Sequence, residues 1–339
     1  MTSRLAARVL VVGTSAGGVE ALSRLAAALP ADFPAPVLVV LHVPAFSASN
    51  LPRILDRAGP LKADHARDYD PLVVGRIYVA PPDFHLLAMR EHVRVVPGPH
   101  ENNHRPAIDP LFRSAALAFG PAAIALVLTG ALDDGAAGAA AVTARGGTVV
   151  VQDPDEALYP AMPLHAIAAH RPAHIAPLAE IPAIVDRLAR EPVPIQQGER
   201  MDDDFGLEQS FAAFELDALH REGGPGKPAP FSCPACGGTL WEAPDEAMLR
   251  FRCRVGHAFG AESLLQSQND RMDEALWTAL RALEERRSLS LRVAAQLRSQ
   301  SGGHRAESYE ESADEAERQA NVLSDVLLAR SPEDPAEAT

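Results

Sequence analysis

Two groups of residues in this 339-residue chain have types and spacings that could do chemistry. The first is Gly13-Thr14-Ser15-Ala16-Gly17-Gly18, which follows the aliphatic run Val9-Leu10-Val11-Val12 and precedes a helical pattern. Gly13-x-Ser15-x-Gly17 fits the nucleophile elbow, whose small residues allow a sharp strand-to-helix turn that exposes a serine hydroxyl. Free N–H groups at the helix start favour negative charge developing there. A dinucleotide-binding turn would need glycine where Ser15 stands, and a Walker loop would need a lysine that this loop lacks. A plain strand-to-helix turn capped by serine is the remaining alternative.

A serine nucleophile needs a base, and the base needs an orienting group. The run Val37 to Leu41 ends at His42, and Ala125-Leu126-Val127-Leu128 runs into Thr129-Gly130-Ala131-Leu132-Asp133-Asp134-Gly135, a loop with two acids. The order Ser, His, Asp differs from the Ser, acid, His order of α/β-hydrolases, so a different serine hydrolase fold is expected.

The second group holds all three cysteines: Cys233-Pro234-Ala235-Cys236, then sixteen residues, then Cys253-Arg254-Val255-Gly256-His257. Two close pairs of soft or borderline ligands match a closed tetrahedral zinc site with Cys233, Cys236, Cys253 and His257 as ligands. Four protein ligands leave no open position, so the zinc is expected to be structural. An odd number of cysteines in one short region argues against a disulfide framework.

The elements that must position these groups follow from periodicity. Candidate strands are Val9 to Val12, Val37 to Leu41, Ile77 to Val79, Val93 to Val96, Ile124 to Leu128 and Thr148 to Val151. Helical patterns cover Val19 to Leu29, Leu51 to Ala58, Leu111 to Phe119 and Gly135 to Ala144. Apolar strands alternating with helices predict an α/β fold, a doubly wound, mostly parallel sheet in three layers of Rossmann-like form. Such sheets bind ligands at the carboxyl ends of their strands, where Ser15, His42 and Asp134 all fall. His85 to Pro97 reads as a hairpin on one edge.

Residues 1–195 are expected to form this domain and 196–230 an acidic, Pro/Gly-rich linker with a short helix from Leu207 to Leu219. Residues 231–260 would form a small zinc-ribbon-like module and 261–330 an α-helical hairpin. Its stripes are Met272, Leu276, Ala279, Leu283, Ser290, Val293 and Leu297, then Tyr309, Ala313, Ala316, Ala320, Leu323 and Leu327, with Gly302-Gly303 between them. Each stripe is narrow, which leaves two readings open: a surface for a second copy or another helical protein, and a tail packed on its own chain.

A formal net charge of −14 argues against nucleic acid as a partner. No apolar run is long enough to span a membrane, and Met1 to Arg8 is too short and polar for a signal peptide, so a cytoplasmic protein is expected.

The residues together resemble the catalytic domain of the chemotaxis protein-glutamate methylesterases. The matching segments are Val11 to Gly18, Val40-Leu41-His42-Val43-Pro44, Ile77 to Leu86, His104 to Ser114, Leu128-Thr129-Gly130 with Asp134 to Gly138, and Ala161-Met162-Pro163, covering Arg8 to Leu188. The resemblance implies that Ser15 is the nucleophile, His42 the base and Asp134, rather than Asp133, the orienting acid. Backbone N–H groups at Ala16 and Ala131 would hold the oxyanion, and no metal would serve the catalytic step. It implies hydrolysis of glutamate methyl esters on the cytoplasmic helices of chemoreceptors, with glutamine deamidation in some members. Chemosensory kinase or methyltransferase components are further implied partners. The alternative is a catalytically weak scaffold of a chemosensory complex, motivated by Gly130-Ala131-Leu132 where the family has Gly-Met-Gly. With the first strand near Arg8, the family's usual receiver domain is expected to be absent.

Other polar residues have plainer expectations. Arg105 and Asp109 would either line the cleft or form an ion pair at a helix start. His85 and His104 would either lie near the site or be solvated loop histidines, the latter being the plainer expectation. Arg250, Arg252 and Arg254 alternate with Phe251, Cys253 and Val255, which predicts a solvated arginine face. Asp202-Asp203-Asp204 reads as solvated linker.

Overall fold

A computed structural model of the chain describes residues 6–46, 49–193, 209–213, 215, 226–243, 248–299 and 303–329. Its centre is a seven-stranded sheet in the order β3-β4-β2-β1-β7-β8-β9. The strands are β1 (Val9–Thr14), β2 (Val37–Leu41), β3 (Lys62–His65), β4 (Arg76–Val79), β7 (Ala123–Val127), β8 (Thr148–Gln152) and β9 (His174–Ala176), and every neighbouring pair is parallel. The central strands are apolar throughout because both faces are covered. Val9 and Val11 enter one core with Ile108, Leu111 and Phe112, while Leu10 and Val12 enter the other with Leu22, Leu25 and Leu55.

The flanking helices are α1 (Gly18–Ala28), α2 (Leu51–Ala58), α3 (Ile108–Phe119), α4 (Ala136–Ala144), α5 (Ala161–Ala169) and α6 (Ile181–Arg190). The expected doubly wound sheet is present, with two differences. The edge strands β3 and β9 carry no run of aliphatics, so periodicity gave no sign of them. The hairpin β5 (His85–Ala88) and β6 (Val93–Val96) forms, but as a separate two-stranded sheet rather than on an edge of the main one.

A second, four-stranded antiparallel sheet follows: β10 (Lys227–Ser232), β11 (Thr239–Glu242), β12 (Arg250–Cys253) and β13 (Ala258–Gly260). The chain divides into two compact units, Met1–Leu264 and Leu265–Thr339, so this small sheet shares a unit with the large one. Of the expected linker and its helix, residues 209–213, 215 and 226–230 are described, with helix at 209–212 and residues 227–230 already in strand β10; Asp202-Asp203-Asp204 lies outside the described residues.

The second unit holds most of α7 (Ala261–Ser299) and all of α8 (Gly303–Leu328). Arg287 pairs with Glu317 at 3.1 Å and Arg298 with Glu310 at 2.5 Å, so the two helices run antiparallel, as a hairpin requires. Small residues form the seam: Ser290 and Ala294 on α7, and Ala306, Ala313, Ala316 and Ala320 on α8, are buried. Met272, Ala279 and Tyr309, placed in the stripes by their spacing, are exposed instead. Among the described residues, no helix is long and apolar enough to cross a membrane.

Candidate active site and metal cluster

The register of the sheet brings three loops together. Thr14 pairs with Leu41 across β1 and β2, so Ser15 and His42 leave neighbouring strands side by side. On the other side of β1, Gly13 pairs with Val127, which brings residues 128–135 alongside. The Ser15 N–H donates to the Thr129 carbonyl at 3.1 Å, the His42 N–H to the Thr14 carbonyl at 3.2 Å, and the Thr14 hydroxyl to Thr129 at 2.7 Å. The elbow needs its glycines. Gly17 has φ +76°, and a Cβ on Gly130 would lie 2.9 Å from the Ser15 Cβ and overlap the Met162 sulfur.

The three side chains form one hydrogen-bonded chain. The Ser15 hydroxyl lies 3.1 Å from His42 Nδ1, and His42 Nε2 lies 2.7 Å from Asp134 Oδ2. Because an ionised carboxylate only accepts, the proton sits on Nε2, and Nδ1 keeps the lone pair that faces the serine. Most familiar serine triads use the two ring nitrogens the other way round.

Asp134 is the best-held carboxylate in the site. Oδ2 accepts the Ile108 N–H at 2.7 Å besides His42, and Oδ1 accepts the N–H groups of Asp109 at 3.2 Å and Gly135 at 3.0 Å. The Asn102 amide adds a donor to Oδ1 at 2.9 Å. Burial alone would raise its pKa, but the His42 hydrogen bond and charge and the Ile108 N–H hold it well below the usual carboxylate range. Asp133 turns away and accepts from the Ser263 hydroxyl. Between the two structural requirements of this loop sits Leu132 at φ +61°, a left-handed backbone at the position where the sequence comparison expected glycine.

The described cleft over Ser15 has a volume of about 540 Å³ and is lined by Ser15, Ala16, His42, Pro44, His104 and Arg105, among others. Ala131 is exposed at the start of the acid loop. Ala16 and the first turn of α1 offer N–H groups without intrahelical partners at the serine. Arg105 lines the cleft, as one expectation had it, but its partner is Asp83 at 2.6 Å rather than Asp109. Asp109 is 2% exposed and caps α4, accepting from Gly138 N–H at 2.7 Å and Gly135 N–H at 3.1 Å. Burial and the neighbouring Asp134 push its carboxyl well above the usual range.

Of the two histidines read as solvated, one is buried and the other is partly buried at the rim of the cleft, where the alternative reading put it. His85 is fully buried, with Nε2 at 2.8 Å from the Pro99 carbonyl. His104 stacks on the His42 ring with centroids 3.6 Å apart, and burial and the His42 charge push it down to about 3. It therefore lies against the His42 imidazole as a neutral ring, 13° from parallel with it.

The four expected metal ligands also meet. The ligand atoms of Cys233, Cys236, Cys253 and His257 all lie within 4.8 Å of one another. Cys236 and Cys253 Sγ are 3.8 Å apart, and His257 Nδ1 lies 3.8 Å from Cys233 Sγ and 3.5 Å from Cys253 Sγ. A tetrahedral zinc with ordinary bond lengths has edges of about 3.8 Å between thiolates and about 3.6 Å between thiolate and imidazole. Two tight turns shape the cluster: Gly237 N–H donates to Cys233 and Gly256 N–H to Cys253, with both glycines at positive φ. The group fits a metal ion.

The expected solvated arginine face is overturned at Arg250 and Arg252, while Arg254, past the end of β12, is exposed as expected. Arg250 and Arg252 are 5% and 2% exposed because the small sheet packs β12 against the large domain. Arg252 binds Glu101 at 3.2 Å, and Glu101 also takes Arg113 at 2.8 Å. Asn102 was missed altogether. Its only sequence signal was the pair Asn102-Asn103, a favoured two-residue hairpin turn; both residues have positive φ and the turn is closed by Glu101 and His104.

Residues 10–185 match the family described as CheB methylesterase. A protein-glutamate methylesterase/protein-glutamine glutaminase of a Nocardioides species is 41% identical over 189 residues, 54% of this chain and 51% of that protein. The chain thus spans about half the length of the curated relatives that head the comparison. A Leptospira interrogans relative, 36% identical over 180 residues, is matched over 93% of its length and covers 53% of this chain. The crystal structure of the Thermotoga maritima CheB methylesterase catalytic domain superposes with TM-score 0.52 at 33% identity, over 53% of this chain and 98% of that one.

Proposed function

Because this chain belongs to the CheB methylesterase family, we propose that it is a serine carboxylic ester hydrolase that removes methyl groups from glutamate esters on chemoreceptor helices. The observation that carries this reading is the unbroken hydrogen-bonded chain from Ser15 through His42 to Asp134. His42 Nδ1 takes the Ser15 proton as the oxygen attacks the ester carbonyl. Asp134 keeps the other ring proton on Nε2 and stabilises the imidazolium that forms. The N–H groups of Ala16 and Ala131 receive the oxyanion. The bond to methoxide breaks, His42 returns the proton, and methanol leaves. Water then repeats the sequence on the acyl-enzyme and frees glutamate. With a glutamine side chain the same steps would release ammonia.

In this reading residues 1–195 are the catalytic domain, 196–226 the linker, 227–260 a structural zinc module and 261–330 a helical hairpin. When bound, the zinc would be held by Cys233, Cys236, Cys253 and His257 and would supply folding energy rather than chemistry, since all four positions are protein ligands. The protein would act in the cytoplasm, alongside kinase or methyltransferase components of the same chemosensory system. Fluorophosphonate labelling tests the core of the proposal. Mass spectrometry should find the adduct on Ser15, and labelling should vanish in Ser15→Ala. An inert Ser15 in folded protein would sink it.

A further inference from the structure

The small sheet meets the catalytic machinery at the Asn102 turn, and at Gly260 it also packs against Asp133 of the acid loop. β13 pairs with that turn through its backbone: Asn102 N–H donates to the Ala258 carbonyl at 2.8 Å, and Ala258 N–H to the His100 carbonyl at 3.2 Å. The Gly260 N–H donates to Asn102 Oδ1 at 2.8 Å. This bond fixes which way the Asn102 amide faces, because Oδ1 is taken and the NH2 group must point the other way. There it donates to Asp134 Oδ1 at 2.9 Å and Asp109 Oδ2 at 3.0 Å. Two residues along the turn, His104 stacks on His42.

The same turn is anchored to the metal cluster. Arg252 precedes the ligand Cys253, donates to the Gly256 carbonyl at 2.8 Å inside the Cys253–His257 turn, and clamps Glu101, the residue before Asn102. All three members of the Glu101–Arg113–Arg252 cluster are buried, so Arg252 can leave Glu101 only by opening the interface.

We propose that Asn102 is a positioning residue for Asp134, and that the Cys233–Cys236–Cys253–His257 module is an integral brace of the active site that orients it. The brace touches no substrate. It acts on turnover through the orientation of the triad acid and its histidine, and it rests on the hydrolase reading above. Loss of the metal releases the two tight turns, frees Arg252 and Gly260, and lets the Asn102 amide rotate. Asp134 then loses a donor, and the His42 ring loses its fixed plane.

Three full-length preparations test this: Gly260→Val, Asn102→Ala, and wild-type protein stripped of metal by a chelator and then reloaded with zinc. A side chain at Gly260 would overlap the Asp133 carboxylate, so Gly260→Val disturbs the contact between β13 and the acid loop and with it the Gly260 N–H bond to Asn102. The readouts are the fluorophosphonate labelling rate of Ser15, kcat and KM for methylated receptor, and 15N shifts of labelled histidine, which report the His42 tautomer. Each preparation should label about 10- to 100-fold more slowly, the scale set by misplacing a catalytic group by a fraction of an ångström to an ångström. The loss should fall on kcat with KM unchanged, the Nε2–H tautomer of His42 should give way to a mixture, and zinc should restore the stripped protein. The double variant Asn102→Ala/Gly260→Val should be no slower than the worse single one, since both break one relay. Wild-type labelling with an unchanged His42 tautomer in any folded preparation, or additive losses in the double variant, would overturn the brace. Asn102→Ala leaves the metal ligands and Arg252 in place, so it decides the matter should the other two unfold. If wild-type protein neither labels nor releases methanol, the hydrolase reading has failed, and the His42 tautomer still reports on the relay.

Discussion

Replacing Asp134 by asparagine probes the triad with the smallest possible change in shape. The carboxylate accepts from five donors: His42, Ile108 N–H, Asp109 N–H, Gly135 N–H and Asn102. An amide has one acceptor oxygen, so its NH2 group must face donors whichever way it is turned. Turned toward Oδ2, it meets the Ile108 N–H and forces His42 to accept at Nε2. The ring proton then moves to Nδ1, and the base points a proton at Ser15. Turned toward Oδ1, it meets three donors. At about 1–3 kcal/mol for each buried donor left unpaired, the variant should lose roughly 2–5 kcal/mol of stability. Loss of the orienting acid in such triads costs on the order of 10⁴ in turnover, about 5.5 kcal/mol of transition-state stabilisation at 1.36 kcal/mol per factor of ten. The assay is methanol release at saturating methylated receptor, with the folded fraction fixed by circular dichroism and Ser15 labelling measured in parallel. A kcat within tenfold of wild type would refute the reasoning.

Three further outcomes follow from the same geometry. Gly130→Ala should abolish Ser15 labelling with modest loss of stability, because the new methyl lies 2.9 Å from the Ser15 Cβ and overlaps Met162; thermal melting beside labelling separates the two effects. His104 is held neutral at about 3, so between that value and its unfolded value near 6.5 the unfolded chain binds the extra proton and stability falls as pH drops. His104→Phe should therefore flatten the acid side of a urea-stability profile by up to a few kcal/mol, on the order of 1.4 kcal/mol per pH unit, while wild type keeps its slope. Cys253→Ser should lower bound zinc from about one equivalent to near zero by atomic absorption, since three remaining ligands cannot close the tetrahedron.

The chemistry at the strand ends was legible because parallel sheets gather their carboxyl-end loops, so a serine, a histidine and an acid after three apolar runs must converge. Choosing Asp134 over Asp133 required the family resemblance. The structure gives the reason: Gly135 is the N-cap of α4, and Asp134 beside it sits under the N–H groups of Ile108 and Asp109, while Asp133 points to Ser263. What the sequence hid lay at contacts between distant segments. Alternation put Arg250 and Arg252 on one face of β12, but periodicity cannot say whether that face meets water or Glu101. Asn102 lay in a turn whose partners come from residues 134 and 260, far along the chain. His85 and His104 were read as solvated because a loop histidine is usually so; His85 is instead buried against the Pro99 carbonyl, and His104 is partly buried against the His42 ring. β3 and β9 were invisible for a simpler reason: edge strands of four and three residues carry too few apolar positions to show a period.

Leu132 shows how a departure from the expected loop can leave the site intact. A leucine in the left-handed region costs roughly 1–2 kcal/mol relative to its relaxed backbone. The turn keeps that shape because the hydrogen bonds on either side, Gly130 N–H to Tyr159 at 2.9 Å and the five donors on Asp134, over-determine it. The loop on which the scaffold alternative rested therefore still delivers Asp134 to His42.

The measurement that bears most directly on the account is methanol release from a methylated chemoreceptor by the zinc-loaded full chain, set against Ser15→Ala at equal concentration. The account predicts release by the wild-type protein and none above background by the variant. Equal release by both, or no release from any methylated receptor by folded protein whose Ser15 labels, would contradict it.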